Sequence, residues 1–212
     1  EQMNLRDYRQ QYEQGALARM SLNDDPFAQF KSMFDKAKDA GVKEPNAMTL
    51  ATYDEVNGVN ARIVLLKEVD HEGFVFFTNY HSRKGKDLAG FHGAALVFWW
   101  HNMECQIRIK GDVHKISSER SSDYFISRPH DSKAAAIASD QSEVVENYDT
   151  LITKYEGLRK EEDENLQRPD KWGGYCLVPT EFEFWQGRPN RMHDRFRYTK
   201  KENDWQIDQL FP

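Results

Sequence analysis

Ala47-Met48-Thr49-Leu50-Ala51-Thr52-Tyr53-Asp54, Glu55-Val56-Asn57-Gly58 and Val59-Asn60-Ala61-Arg62-Ile63-Val64-Leu65-Leu66-Lys67 form the stretch on which the fold turns. Two runs rich in apolar and β-branched residues flank an Asn-Gly turn signal, so a hairpin is predicted, with strands over 47–54 and 60–69. Asp70-His71-Glu72-Gly73 is a second turn signal and leads into a strand over 73–79. Further strands are predicted over 94–101 and 105–116, with a short helix from Ser82 to Leu88 between the third and fourth. Upstream, Phe27, Phe30, Met33, Phe34 and Ala37 follow helical spacing, with Pro26 suited to the first turn and Gly41 to the stop. Downstream come helices over 118–128, 132–138 and 147–162, the last heavily charged and read as a solvated face. Strands return over 173–178, 181–186, 194–200 and 204–210, the last pair joined by Glu202-Asn203-Asp204. Strands on both sides of a helical insert, without βαβ alternation, give a mainly β chain with helices (α+β), an antiparallel barrel rather than a doubly wound sheet.

Composition narrows the function. The chain has 212 residues, 29 Lys or Arg against 35 Asp or Glu, and a formal charge of −6. An acidic balance argues against a nucleic-acid partner, whose affinity rests on excess cations facing phosphates. No apolar run reaches the ~18 residues that cross a bilayer, and Glu1 to Asp7 lacks the pattern of a secretory signal. Cys105 and Cys176 stand far apart, in no Cys-x-x-Cys or Cys/His ligand spacing, so no metal site is expected and the reducing cytoplasm is the expected compartment. Glycine-rich nucleotide loops, Gly-x-Ser-x-Gly and His-Glu-x-x-His are all absent from the sequence. Neither an internal repeat nor a low-complexity segment occurs.

Four constellations carry potential chemistry. In Arg62 to Lys67, strand alternation puts Arg62, Val64 and Leu66 on one face and Ile63, Leu65 and Lys67 on the other. The two cations either reach water from the strand ends or serve ligands on opposite sides. Phe76-Phe77-Thr78-Asn79 running into Ser82-Arg83-Lys84-Gly85-Lys86 sets a hydroxyl, cations and a helix start together, which suits a phosphate but also describes plain basic surface. Tyr124, Arg128 and Ser132 are spaced i, i+4, i+8. Because Pro129 breaks that ladder, Ser132 is expected to cap the next helix while lying near Arg128. If 191–195 is extended, Arg191, His193 and Arg195 share one face near Trp185, and such a row calls for an anion or a polar ring to relieve its repulsion. Gln106, Arg108 and Lys110 likewise share a face opposite Ile107 and Ile109.

Taken in order, R-I-V-L-L-K at 62–67, F-F-T-N at 76–79, S-R-K at 82–84, Y-F-x-S-R-P-x-D-S at 124–132, Q-S at 141–142, W-G-G at 172–174, and E-F-W-Q-G with R-M-H-D-R within 183–195 resemble the pyridoxine (pyridoxamine) 5′-phosphate oxidase family. The resemblance runs from about Arg9 to Pro212. It implies a single FMN-binding split-barrel domain over 1–212, with 1–24 a substrate-covering segment and 118–165 a helical insert. It also implies a homodimer with FMN at the subunit interface. Motif by motif, FMN would meet Arg62, Ile63, Val64, Leu65, Leu66, Lys67, Phe77, Thr78, Arg83, Lys84 and Gln106, with Gln141, Ser142, Trp185 and Arg195 completing the pocket. The substrate phosphate would meet Lys67, Tyr124, Arg128 and Ser132. Arg191, Met192 and His193 would face the pyridine ring, with Arg191 and His193 catalytic, and Arg9 and Tyr12 would close over it.

The implied reaction is oxidation of pyridoxine or pyridoxamine 5′-phosphate to pyridoxal 5′-phosphate, by hydride transfer to flavin N5. O2 would be the final acceptor, giving H2O2, and the amine substrate would release ammonia. That places the chain in vitamin B6 biosynthesis and salvage. A phosphate-independent flavin reductase would not need Tyr124, Arg128 and Ser132, and a non-catalytic pyridoxal 5′-phosphate carrier is separable by turnover. The sequence departs from the family at Cys105, where Arg is typical, at Ile126, where His is common, and over Ala134 to Ala138, where a glycine and a tryptophan are replaced.

Overall fold

A computed structural model describes residues 3–212. The strands are β1 (Ala47–Asp54), β2 (Gly58–Leu65), β3 (Glu68–Val69), β4 (Phe74–Asn79), β5 (Gly93–Trp100), β6 (Cys105–Lys115), β7 (Trp172–Gln186), β8 (Asp194–Lys200) and β9 (Trp205–Leu210). The helices are α1 (Pro26–Asp39), α2 (Arg83–Gly90), α3 (Ser118–Ser127), α4 (His130–Ala138) and α5 (Tyr148–Leu158). All nine strands join one sheet in the order β2-β1-β5-β6-β7-β4-β3, with β8 on β7 and β9 on β8. The first and last strands of that path, β2 and β3, are separated in the chain by Leu66 and Lys67 alone. A sheet whose two ends are consecutive in sequence has the strand order of a barrel, as the alternation predicts.

Two expected elements differ from the structure for one reason, a change of partner. The strand over 60–69 is two strands, because β2 pairs with β1 while Glu68 and Val69 pair with Val75 and Phe74 of β4. Conversely, 173–178 and 181–186 are one strand running straight through Pro179. Its first part pairs with β4 from Trp172 to Leu177, and its last part with β8 from Glu181 to Gln186. Pro179 falls between the two registers, so its missing N–H removes a bond from neither. Helix α5 ends at Leu158 rather than 162, which leaves Arg159, Lys160, Glu161 and Glu162 of the charged run outside the helix, and it buries no residue.

Two compact units make up the chain. The first comprises the residues up to Met48, Leu96–Lys110 and Thr180–Pro212. In it, Asp25 caps α1 by accepting the Phe27 N–H at 3.0 Å, Pro26 takes the first turn, and Gly41 follows the helix at φ +75°. Phe30, Met33 and Ala37 form the buried stripe. Phe30 meets Phe98 edge-on at 5.2 Å, and the indole of Trp100 donates to the Pro45 carbonyl at 2.9 Å. Phe182 and Phe184 sit two residues apart on one face of β7, and the Tyr198 hydroxyl donates to the Asn23 carbonyl.

Thr49–Ala95 and Gly111–Pro179 form the second unit. The β3–β4 turn is fixed by the Asp70 carboxylate, which accepts the N–H groups of Glu72 and Gly73. Gly111 brings β6 against β7 so closely that a Cβ there would lie 2.0 Å from the Val178 carbonyl oxygen. Because the obstacle is backbone, Gly111→Ala is expected to cost about 1–3 kcal/mol, read as a lower denaturation midpoint with an unchanged m-value. An unchanged midpoint would show that the two strands can separate freely at this point.

Candidate active site

A cavity of about 990 Å³ opens in the second unit and is lined by second-unit residues alone. β2 supplies Arg62, Ile63, Val64 and Leu65, Lys67 follows it, and β4 supplies Phe77 and Thr78. Arg83 and Lys84 open α2, Tyr124 lies on α3, Arg128 on the link to α4, and Ser132 in the first turn of α4. Gln141 and Ser142 follow α4, and Trp172 opens β7. Fourteen residues expected to bind cofactor or substrate are thereby brought together. Leu66 is the exception within its motif: it is 6% exposed, belongs to the core and does not line the cavity. Helix α4 starts at His130 with Pro129 in the capping position, so Ser132 lies inside the first turn instead of capping it.

One side of the cavity is cationic. Arg62 donates through Nη1 to the Leu50 carbonyl at 3.1 Å and the Thr52 hydroxyl at 2.7 Å, and through Nη2 to Asp87 Oδ2 at 3.4 Å. Arg83 donates through Nε to Asp87 Oδ1 at 2.9 Å and through Nη2 to Asp54 at 3.3 Å. Lys84 is buried and donates to Thr78 Oγ1 at 3.1 Å and Gln141 Oε1 at 3.2 Å. Burial, reinforced by the positive charge of Arg62, brings its pKa down to about 8. The helix start is tightly seated, since a Cβ on Gly85 would lie 2.0 Å from the Tyr80 carbonyl oxygen. Asp87 and Thr52 escaped the sequence reading, although Arg83 and Asp87 stand at the i,i+4 spacing of a helical ion pair.

Aromatic rings and a second cation line the rest. Phe77 stacks on Tyr124 at 3.8 Å, and Tyr124 lies parallel to Trp172 within 9°. The Arg128 guanidinium sits 4.6 Å from the centre of the Trp172 ring. Its Nη1 is buried and has no hydrogen-bond partner among the described residues, and burial lowers its pKa. An anion in the cavity is the natural partner for that orphaned donor.

The remaining expected residues belong to the first unit. Tyr12 meets Trp185 edge-on at 6.0 Å and the ring of His193 at 6.0 Å, while Trp185 and His193 lie 4.5 Å apart. Nearby backbone is pinned by carboxylates: Glu104 accepts the N–H groups of Glu13 and Gln14, and Asp194 accepts that of Leu17. His193 Nδ1 accepts the Arg188 N–H at 3.0 Å, so a neutral His193 carries its proton on Nε2. Burial first, then the charge of Arg191, lowers the His193 pKa. Arg9 is exposed and donates to the Arg6 carbonyl, and Met192 is exposed.

The row Arg191, His193, Arg195 is not extended. Pro189–Arg191 is a 3-10 turn in which Asn190 and Arg191 take left-handed backbone angles, and β8 starts only at Asp194. Gly187, Pro189 and Asn190 were the turn signals that could have revealed it. Nor does Arg195 await an anion, because Glu183 holds it bidentately at 2.9 and 3.3 Å. Gln106 shares its face of β6 with Arg108 and Lys110 as predicted, and the two cations pair with Glu183 and Glu181. Cys105 is buried, with its thiol donating to Gln186 Oε1 and its pKa pushed up to about 12 by burial.

Folding also brings Glu72, His114 and Cys176 close enough for their ligand atoms to lie within 4.8 Å of one another, which no sequence spacing suggested. Cys176 packs fully buried with Val75 and Ile116, and burial pushes its thiol up to about 11, so it behaves as a core residue. Among the described residues no helix is long and apolar enough to cross a membrane.

An antiparallel sheet in barrel order, carrying a cavity lined by cations and stacked aromatic rings, is the architecture of the split-barrel class. Residues 34–160 match the model of the family described as pyridoxamine 5′-phosphate oxidase, and residues 172–212 match the pyridoxine 5′-phosphate oxidase C-terminal dimerisation region. The chain belongs to the pyridoxamine 5′-phosphate oxidase family. A pyridoxine/pyridoxamine 5′-phosphate oxidase of Salinibacter ruber is 49% identical, over 98% of this chain and 99% of its own. Its counterpart from Thermosynechococcus vestitus is 48% identical over the same shares. Among solved structures, PhzG from Burkholderia lata, in complex with tetrahydrophenazine-1-carboxylic acid, superposes with a TM-score of 0.86 at 29% identity, covering 91% of this chain and 95% of that one. A pyridoxamine 5′-phosphate oxidase-related, FMN-binding protein from Nostoc punctiforme shares the fold, with a TM-score of 0.70 at 13% identity over 90% of this chain and 100% of that one.

Proposed function

We propose that the protein is an FMN-dependent oxidase that converts pyridoxine 5′-phosphate and pyridoxamine 5′-phosphate to pyridoxal 5′-phosphate, in vitamin B6 biosynthesis and salvage. The observation that carries this reading is the pair of separate cationic subsites in one cavity. Arg62 and Arg83 share Asp87 and the neighbouring Lys84 holds Thr78 and Gln141, whereas Arg128 lies over Trp172 with a buried Nη1 that no described residue satisfies. Two subsites match two phosphate monoesters, one on cofactor and one on substrate. The 48–49% identical relatives carry that activity in their names. The residues present fit FMN: a cavity of this size holds a flavin, and fixed cations with backbone N–H groups at the start of α2 suit its phosphate.

In this reading Arg62, Arg83 and Lys84 hold the FMN phosphate, while Ile63, Val64, Leu65, Lys67, Phe77, Thr78, Gln141 and Ser142 bound the rest of the cofactor. Arg128, Tyr124, Ser132 and Lys67 hold the substrate phosphate. FMN, when bound, supplies the hydride acceptor and returns the electrons to O2 as H2O2. The protein acts as a homodimer, and Gln106, Trp185, Arg191, Met192, His193 and Arg195, with Arg9 and Tyr12, complete the site in the assembly. The match of 172–212 to a dimerisation region supports the dimer. With Nδ1 occupied by the Arg188 N–H, neutral His193 offers Nε2–H as a donor, so its part is to hold the C4′ oxygen or amine in place. Arg191 faces the pyridine ring from its left-handed turn and restricts its orientation. Two buried, unpaired cysteines support a reducing, cytoplasmic setting.

The test is a visible spectrum of the FMN-loaded protein on anaerobic addition of pyridoxine 5′-phosphate. Bleaching of the flavin bands is expected, followed in air by their recovery with one H2O2 and one pyridoxal 5′-phosphate per turnover. Bound flavin that this substrate cannot bleach would overturn the proposed activity.

A further inference from the structure

Asp87 belongs to no motif carried over from the family, yet it is the most enclosed charge beside the cavity. Its carboxylate is fully buried and does not line the cavity. Oδ2 accepts the Thr52 hydroxyl at 2.7 Å and Arg62 Nη2 at 3.4 Å, and Oδ1 accepts Arg83 Nε at 2.9 Å. Thr52 in turn accepts Arg62 Nη1 at 2.7 Å, which closes a ring of three side chains from β1, β2 and α2. A buried carboxylate without cations would be costly, and two guanidinium groups beside a buried lysine repel one another. The pairing of Asp87 with both arginines offsets both penalties and orients the two guanidinium groups.

We propose that Asp87, assisted by Thr52, is a positioning residue for phosphate recognition: it holds Arg62 and Arg83 from behind, so that their free N–H groups are fixed before the cofactor phosphate arrives. The inference rests on the FMN reading. Fixing the donors in advance removes the cost of ordering two long side chains on binding. Its sign separates it from simple charge. Were Asp87 only a negative charge near the phosphate, Asp87→Asn would strengthen FMN binding. A positioning residue predicts weaker binding, because the amide can accept from one arginine only while turning an N–H donor toward the other.

The experiment compares the affinity of the full-length apoprotein for FMN and for riboflavin, by quenching of flavin fluorescence. The wild type is expected to prefer FMN strongly. Asp87→Asn is expected to lower the FMN-to-riboflavin affinity ratio by about ten- to a hundredfold. Thr52→Val, which is nearly isosteric and keeps the carboxylate, is expected to lower it by a smaller factor and serves if Asp87→Asn does not fold. Riboflavin affinity is expected to stay level in both. An equal loss for both flavins would make the role merely structural, and a raised or unchanged ratio would overturn the inference. A wild type that does not discriminate FMN from riboflavin would instead sink the phosphate assignment on which it rests.

Discussion

Arg128→Ala is expected to lower kcat/KM for pyridoxine 5′-phosphate by about 30- to 4,000-fold, which is the 2–5 kcal/mol typical of removing one partner of a buried charged hydrogen bond. The guanidinium lies over Trp172 with Nη1 buried and without a hydrogen-bond partner among the described residues, so that donor is open to a ligand. FMN affinity should change little, because the cations assigned to FMN are Arg62, Arg83 and Lys84. Arg128→Lys is expected to recover only a part, since an ammonium cannot reproduce a planar group stacked on an indole. Unliganded stability offers a second sign. Burial already disfavours the charged form of Arg128, so its truncation should leave the unfolding temperature level or slightly higher. A marked loss of stability with unchanged kcat/KM would assign Arg128 to the scaffold.

The second large effect is Lys84→Met, expected to weaken FMN binding at pH 7 by a similar 2–5 kcal/mol. The pH dependence gives its signature. With a pKa of about 8, Lys84 in the free protein is charged below that value and neutral above it. Wild-type FMN affinity should therefore be level from pH 7 to about 8 and then fall by up to about tenfold per pH unit, above the second phosphate ionisation near pH 6. Lys84→Met should show no such fall. Stability has the opposite sign. The folded pKa lies below the unfolded value of about 10.4, so the unfolded chain binds more protons between the two. The stability of the apoprotein should rise as pH climbs through that window, and Lys84→Met should abolish the rise. Titration calorimetry with FMN from pH 7 to 10 reads the first effect, and denaturant melts over the same range read the second. A wild-type affinity that is flat with pH would remove Lys84 from the phosphate site.

Much of the site was legible because its motifs are local. Arg62 to Lys67, Phe77-Thr78 and Arg83-Lys84 each sit on one element or its end, Tyr124, Arg128 and Ser132 on two helices joined by a short link, and of these residues all except Leu66 line the same cavity. Leu66 could not be separated from its neighbours, because it falls where β2 gives way to β3 and strict alternation ends. The left-handed turn at Asn190 and Arg191 was hidden for a related reason: alternating residue types look alike whether the backbone is extended or not.

By itself the sequence determined the bounds of α1, the hairpins, the order of the motifs and the cationic clusters within them. Caps, turn residues and the period of a strand are local physics, readable within a few residues. Tertiary structure alone decided which strands pair beyond the hairpins, and so why 60–69 breaks in two while Pro179 interrupts neither the β4 nor the β8 register. It also decided which charges are spent and which are free. Arg195 is held by Glu183, and Arg62 and Arg83 by Asp87, while Arg128 keeps a buried donor with no partner among the described residues. Such pairings depend on burial and on contacts between residues far apart in the chain, which local spacing does not encode.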